Sequence, residues 1–308
     1  MLDVFLQVLP FFAVIGVGFF AGRSGFFPES AAAILTKFVF YFALSAMLFG
    51  FASSQKLGDV LDWDIVGAYL LGTLAVYLLA TGVAMLRKRG VEESAVEAQI
   101  SVVGNVGFLG IPMLALLLGE AALKSVLMVL AVDLFVFGGL IVILITGARD
   151  GRVSPAILLT VGGGLIRNPM IVAIGLGFLW SALGVPVPVP FKAFLDLLGG
   201  AATPGALFAI GASLASKSTE RVAVAGWLSF AKLVLHPLAV AGVAVWLFDI
   251  SAYDRGAMIA AAALPVAGNV YILAQHYGVA PQRASAAILV STMLSIVTVP
   301  LVIGWVSV

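Results

Sequence analysis

GNVGFLGIP, residues Gly104 to Pro112, cuts into an apolar stretch that otherwise runs from residue 95 to residue 118. Glycine loosens a helix, and proline removes a backbone donor and clashes with the preceding turn. A second apolar stretch, 255–277, is broken in the same manner by ALPVAGNVY, Ala263 to Tyr271. A break frees backbone amides and carbonyls. In hydrocarbon each costs several kcal/mol unless protein covers it or it lines a wet cavity. Two such breaks in one apolar chain point to a site, and how the chain around them is divided decides the fold.

The environment follows from composition. Of 308 residues, 62% are hydrophobic and 10% charged, against about 25% charged in a soluble domain. The chain is that of an integral membrane protein. There is no cysteine, which excludes disulfides and thiolate metal sites, and the net charge of +1 excludes the basic face that nucleic acid requires. The first residues, MLDVFLQVLPFF, carry Asp3 and no early Lys or Arg. They lack the basic start of a secretory signal and are read as a retained first span.

A helix needs about 20 apolar residues to cross the hydrocarbon core. Ten segments meet that length: 4–22, 30–52, 64–86, 95–118, 123–147, 168–184, 191–215, 222–248, 255–277 and 281–307. The odd-numbered loops hold ten Lys and Arg and the even-numbered loops four. That excess places the odd loops in the cytoplasm and both termini outside.

The chain also repeats. PFFAVIGVGF (Pro10 to Phe19) in span one matches PMIVAIGLGF (Pro169 to Phe178) in span six at an offset of 159 residues. At the same offset LSAMLF (Leu44 to Phe49) matches TPGALF (Thr203 to Phe208). At an offset of 164, GNVGF (Gly104 to Phe108) matches GNVYI (Gly268 to Ile272). The expected fold is therefore all-α, with ten transmembrane helices in two five-helix repeats, 1–147 and 168–308, joined by a cytoplasmic linker at 148–167. An odd number of spans per repeat inverts the second copy. Inverted repeats with interrupted helices meeting near the midplane are the build of many secondary transporters.

The interrupted spans are four and nine. Their candidate substrate-binding residues are Gly104, Asn105, Gly107 and Pro112 in the first, and Pro265, Gly268, Asn269 and Tyr271 in the second. Half-helix N-termini attract anions, and an asparagine amide both donates and accepts hydrogen bonds across a gap. The symmetry is imperfect, since Pro112 follows Asn105 whereas Pro265 precedes Asn269. The competing reading of one break alone is a packing kink. Two at matching repeat positions favour a site.

GNVGFLGIPML, RNPMIVAIGLGF, ATPGALFAIGASL, KLVLHPLAV and ALPVAGNVYILAQHYGVAPQRASAAILVSTMLSIVTVPL together resemble the auxin efflux carrier family, whose bacterial members include malonate and general carboxylate permeases. More distantly the chain is similar to bile acid/sodium symporters. The resemblance covers nearly the whole chain. It implies a scaffold of helices 1, 2, 6 and 7, a transport domain of helices 3, 4, 5, 8, 9 and 10, and crossing of broken helices four and nine at the substrate site. It also implies a homodimer, an elevator-like movement and a place in the bacterial cytoplasmic membrane. Asn105 and Pro112 match the first crossover motif, and Pro265 and Asn269 the second. Relatives tend to carry a proline where this chain has Ser45, which predicts a weaker kink in span two. Its repeat partner Pro204 is present.

Ionisable groups at mid-depth mark function. Asp133 in span five and Lys232 in span eight are such groups, read as a buried charge pair, as Asp133 coupling transport to a proton or cation, or as solvated positions at a differently placed span boundary. His236 reads as a hydrogen-bonded packing histidine, and Lys37 as a lysine that snorkels to the cytoplasmic end of its span. Ser101, Gln275, Ser291, Thr292 and Ser295 are further polar candidates for lining the site or for holding sodium. Each taken singly reads as packing. No metal-binding HExxH and no phosphate-cradling GxxxxGK occurs. The expected activity is transport of a small organic anion, a carboxylate, with sodium or proton as the coupling ion and no other cofactor. A sodium-coupled carrier of a bulkier amphipathic acid and a non-transporting sensor are the alternatives.

Overall fold

The computed structural model describes residues 2–150, 162–163, 166–216 and 222–306. Most of the 148–167 linker lies outside them, including Gly164, one of three consecutive glycines (162–164) expected from the sequence to form a flexible link. The described residues are helices and turns, without a named strand. In chain order they are α1 (Leu2–Arg23), α2 (Glu29–Ser53), α3 (Trp63–Leu86), α4 (Val91–Val102), α5 (Val106–Leu118), α6 (Glu120–Arg149), α7 (Pro169–Ala182), α8 (Val189–Leu214), α9 (Ala223–Leu247), α10 (Ala252–Ala262), α11 (Gly268–Tyr277) and α12 (Pro281–Val306).

Seven helices, α1, α2, α3, α6, α8, α9 and α12, are long and apolar enough to cross a bilayer. The other three expected spans have identifiable reasons for falling short. Spans four and nine are each cut in two, α4 with α5 and α10 with α11. At a rise of about 1.5 Å per residue, the 11 residues of α10 cover roughly half of a hydrocarbon core about 30 Å thick. Span six is the short α7, 14 residues long, which begins after its N-cap Asn168, whose side chain accepts from the Met170 amide.

The chain forms two compact units: Leu9–Asp62 with Gly162–Ser216, and Met1–Val8 with Trp63–Val161 and Lys217–Val308. In the former, glycines let helices touch backbone to backbone. A Cβ on Gly18 would collide with the Phe208 carbonyl of α8, and one on Gly177 would lie 2.9 Å from the Phe49 carbonyl of α2. Gly177 and Phe208 are the repeat partners of Gly18 and Phe49 at the offset of 159, so the two contacts exchange partners between the halves. Gly16 and Gly175, the other glycine of each motif, face open space. The weak kink expected at Ser45 takes another form. A wide π-type turn interrupts the regular α-helical ladder of α2 at Val39–Ala43 without proline, and the Ser45 hydroxyl bonds the Phe40 carbonyl at 3.1 Å.

In the latter unit, ion pairs tie the helix starts together. Arg283 at the start of α12 reaches Glu97 at 2.9 Å and Glu93 at 3.1 Å on α4, while Arg87 takes the second Glu97 oxygen at 2.8 Å. Lys124 and Ser125 at the start of α6 meet Asp254, in the first turn of α10, at 3.8 and 2.9 Å. Spans four with ten, and nine with five, are thus fastened start to start.

Candidate functional site

Both breaks lie in this second unit, and they are paired. The Asn105 amide donates to the Pro265 carbonyl at 2.8 Å and the Ala267 amide to the Val103 carbonyl at 3.1 Å, forming an isolated antiparallel bridge at Gly104 and Val266. The Val266 amide donates to Ser291 Oγ of α12 at 3.1 Å. Backbone groups freed by one break are therefore satisfied by the other, as burial requires. A substitution that closed either break would orphan one amide and one carbonyl in the other.

Because α5 begins at Val106 and α11 at Gly268, two half-helix N-termini start beside the bridge. Gly268 and Asn269 are exposed, and Asn105, Gly107 and Tyr271 are half-buried. Gln275 is exposed on α11. Pro112 does not make the break. It is buried in α5, in the first turn after the wide stretch Val106–Gly110, where the transition between turn types spares its missing donor. The buried hydroxyls of Ser101, Thr292 and Ser295 bond carbonyls of their own helices, those of Glu97, Ile288 and Thr292. Of the serine and threonine candidates, Ser291 alone among the described residues bonds the bridge.

Behind the bridge lies a buried polar cluster. Asp133 and Lys232 each occupy a π-type turn, Val132–Phe137 in α6 and Ala231–Leu235 in α9. Such widened turns insert a residue and re-aim its side chain. Tyr69 Oη of α3 donates to Asp133 Oδ1 at 2.8 Å, and the Gly104 amide also points at this carboxylate. Lys232 Nζ donates to the Ala262 carbonyl at the end of α10 and lies 3.1 Å from His236 Nδ1. His236 Nε2 lies 2.9 Å from Thr73 Oγ1. Asp133 and Lys232 face each other closely enough to interact electrostatically. Among the described residues they form no contact ion pair. Gly104 fits between these groups because it has no side chain: a Cβ there would lie 3.2 Å from Lys232 Cε and Nζ.

Sequence reasoning passed over Tyr69 and Thr73, though their spacing of four puts two hydroxyls on one face of an apolar helix. It also read Arg283 only as a loop charge, and missed Glu97. That carboxylate is fully buried in the apolar half of α4 and was a visible signal.

Residues 3–303 match a family model described as "Membrane transport protein". A Rhizobium meliloti protein named "Putative malonate transporter" is 31% identical, over 95% of this chain and 92% of its own length. An Escherichia coli K12 protein named "Uncharacterized transporter YfdV" is 27% identical over 98% and 97%. A Methanothermobacter thermautotrophicus protein named "Uncharacterized transporter" is 25% identical over 96% and 95%. An all-helical, multi-pass apolar chain matched from end to end by transporters is no enzyme: it belongs to the membrane transport protein family, the family of the auxin efflux carriers.

Proposed function

We propose that this protein is a secondary transporter of a small organic anion, with malonate-like carboxylates as the first class to test. Its binding site is the exposed face of the paired breaks. The observation that carries this reading is the bridge itself, which brings two half-helix N-termini together beside Asn105 and Asn269. Oriented amides at helix N-termini favour negative charge, and the two asparagine amides supply donors for carboxylate oxygens. The name of the Rhizobium meliloti relative agrees in substrate class.

Ten spans in two inverted repeats account for the exchanged contacts of Gly18 and Gly177 and for the start-to-start fastening of spans four with ten and five with nine. Each fastening needs both starts on one membrane face, which is the parity that ten spans give. In this reading the unit that carries the breaks is the moving body of an elevator-like cycle. The unit of spans one, two, six and seven is the scaffold, and through it the protein would dimerise.

The test is transport by purified protein in liposomes, as substrate-induced current and as exchange of labelled against unlabelled substrate. Malonate and related carboxylates are expected to exchange, and Asn105→Ala and Asn269→Ala to lower exchange at least about tenfold, the worth of one charge-assisted hydrogen bond. Absence of both current and exchange for every carboxylate would overturn the reading.

A further inference from the structure

Asp133 and Lys232 stand behind the face assigned to substrate, and that reading leaves them without a task. Asp133 is 3% exposed and Lys232 is fully buried. Tyr69 occupies Asp133 Oδ1, while Oδ2 has no hydrogen-bond partner among the described residues. The groups around this carboxylate are donors: the Tyr69 hydroxyl, the Gly104 amide and the Lys232 ammonium. A hard cation such as sodium wants about six oxygen ligands. The carbonyl nearest in kind to a cation site, Ala262 at the C-terminal end of α10, already holds the Lys232 ammonium. The cluster carries its own cation, and what it offers to a second one is the open Oδ2, room for a proton.

We propose that Asp133 is the coupling-proton site of this transporter, with Lys232 as its tethered counter-charge. The inference rests on the carrier reading above. The Asp133 carboxylate and the substrate anion draw on the same source of positive potential, the break at Gly104 and Asn105 with the ammonium beside it. With Asp133 ionised, that potential is spent on its own carboxylate. A proton arriving from water on one side forms an O–H bond at Oδ2 and leaves the cluster with a net charge of one positive, which admits the anion. After the movement the anion departs, the O–H bond breaks and the proton passes to water on the other side. From α3 the carboxylate meets Tyr69, and from α9 Lys232 with His236 behind it. No other ionisable side chain among the described residues acts on it.

Linkage is reciprocal, so protonation that favours the anion makes the anion favour protonation. The experiment is malonate binding to purified protein from mildly alkaline to mildly acidic pH, with and without sodium. It is run beside malonate-driven proton movement in liposomes carrying an internal pH dye. Wild-type dissociation constants are expected to fall as pH falls, by up to about tenfold per pH unit for one linked proton, with no sodium effect. Asp133→Asn should bind malonate with that extra dependence removed, while His236→Gln keeps it. The ionisation of malonate itself is common to all three proteins. Should Asp133→Asn fail to fold, the wild-type dye signal decides, because proton entry with malonate and without sodium is required. Sodium-dependent binding, net malonate uptake without proton entry, or a dependence lost in His236→Gln and kept in Asp133→Asn would overturn the proposal while leaving the carrier reading intact. A wild type that neither binds nor exchanges a carboxylate overturns both.

Discussion

Gly104 shows what a single position is asked to do here. Its amide faces Asp133, its carbonyl neighbour Val103 pairs with Ala267, and its missing side chain leaves space for the Lys232 ammonium. Gly104→Ala is expected to fold, since the nearest atoms are the end of a flexible side chain, but to push that ammonium off the Ala262 carbonyl. Substrate exchange should fall at least about tenfold, an energy of about 1.4 kcal/mol, with an unchanged elution profile on size exclusion; exchange at the wild-type rate would show that the ammonium's place is immaterial. Glu97 makes a different demand. Removing it leaves Arg283, itself 5% exposed, without its buried partner. Glu97→Ala should cost about 3–5 kcal/mol as a broken buried pair does, whereas Asp196→Ala, which breaks the exposed Lys192 pair, should cost about 0–1 kcal/mol. Thermal melting in detergent checks the contrast, and equal shifts would refute it. The break residues could be read from the sequence because glycine, asparagine and proline are conspicuous in apolar surroundings. Tyr69 was harder to find because its partner Asp133 is distant in the chain, whereas Glu97 was visible as a carboxylate among apolar neighbours and was passed over.

At the scale of elements, the interrupted helices explain how far pattern reading reaches. Composition locates each break within a few residues. Whether a break is a kink or a pairing site depends on Val103, Asn105, Pro265 and Ala267 finding each other across more than half the chain. Pro112 sits after the break for a local reason: proline is tolerated in a first turn, and the wide stretch before it supplies one. The π-type turns carrying Asp133 and Lys232 leave no mark in the sequence, since VDLFVF and AKLVL read as ordinary apolar helix. The glycine motifs do leave one, and they yield a test. Gly18→Ala and Gly177→Ala should each lower thermal stability measurably by forcing α1 from α8 and α7 from α2, while Gly16→Ala and Gly175→Ala, facing open space, should not. Equal sensitivity of all four would contradict backbone-to-backbone packing at the repeat.

For the whole molecule, composition is enough to establish a multi-pass membrane protein, and the offset of 159 residues reveals its internal repetition. Among the described residues seven helices meet the length for crossing where ten were expected: two of the other three are broken, and a break also removes the length by which spans are counted, while the third, α7, is 14 residues long. The carboxylate class proposed for the substrate rests on resemblance, since oriented amides and two asparagines would favour negative charge without spelling out which anion bears it. The central claim is that the exposed face beside the bridge is a carboxylate site reached alternately from the two sides of the membrane. The absence of native cysteine makes this directly testable with one thiol. Ile272→Cys places it on α11 at a residue 65% exposed, one turn from Asn269. The decisive measurement is its labelling rate by a membrane-impermeant thiol reagent applied to either face of sealed vesicles. The account predicts labelling from both faces, slowed by malonate. Labelling confined to one face, or indifferent to every carboxylate, would contradict it.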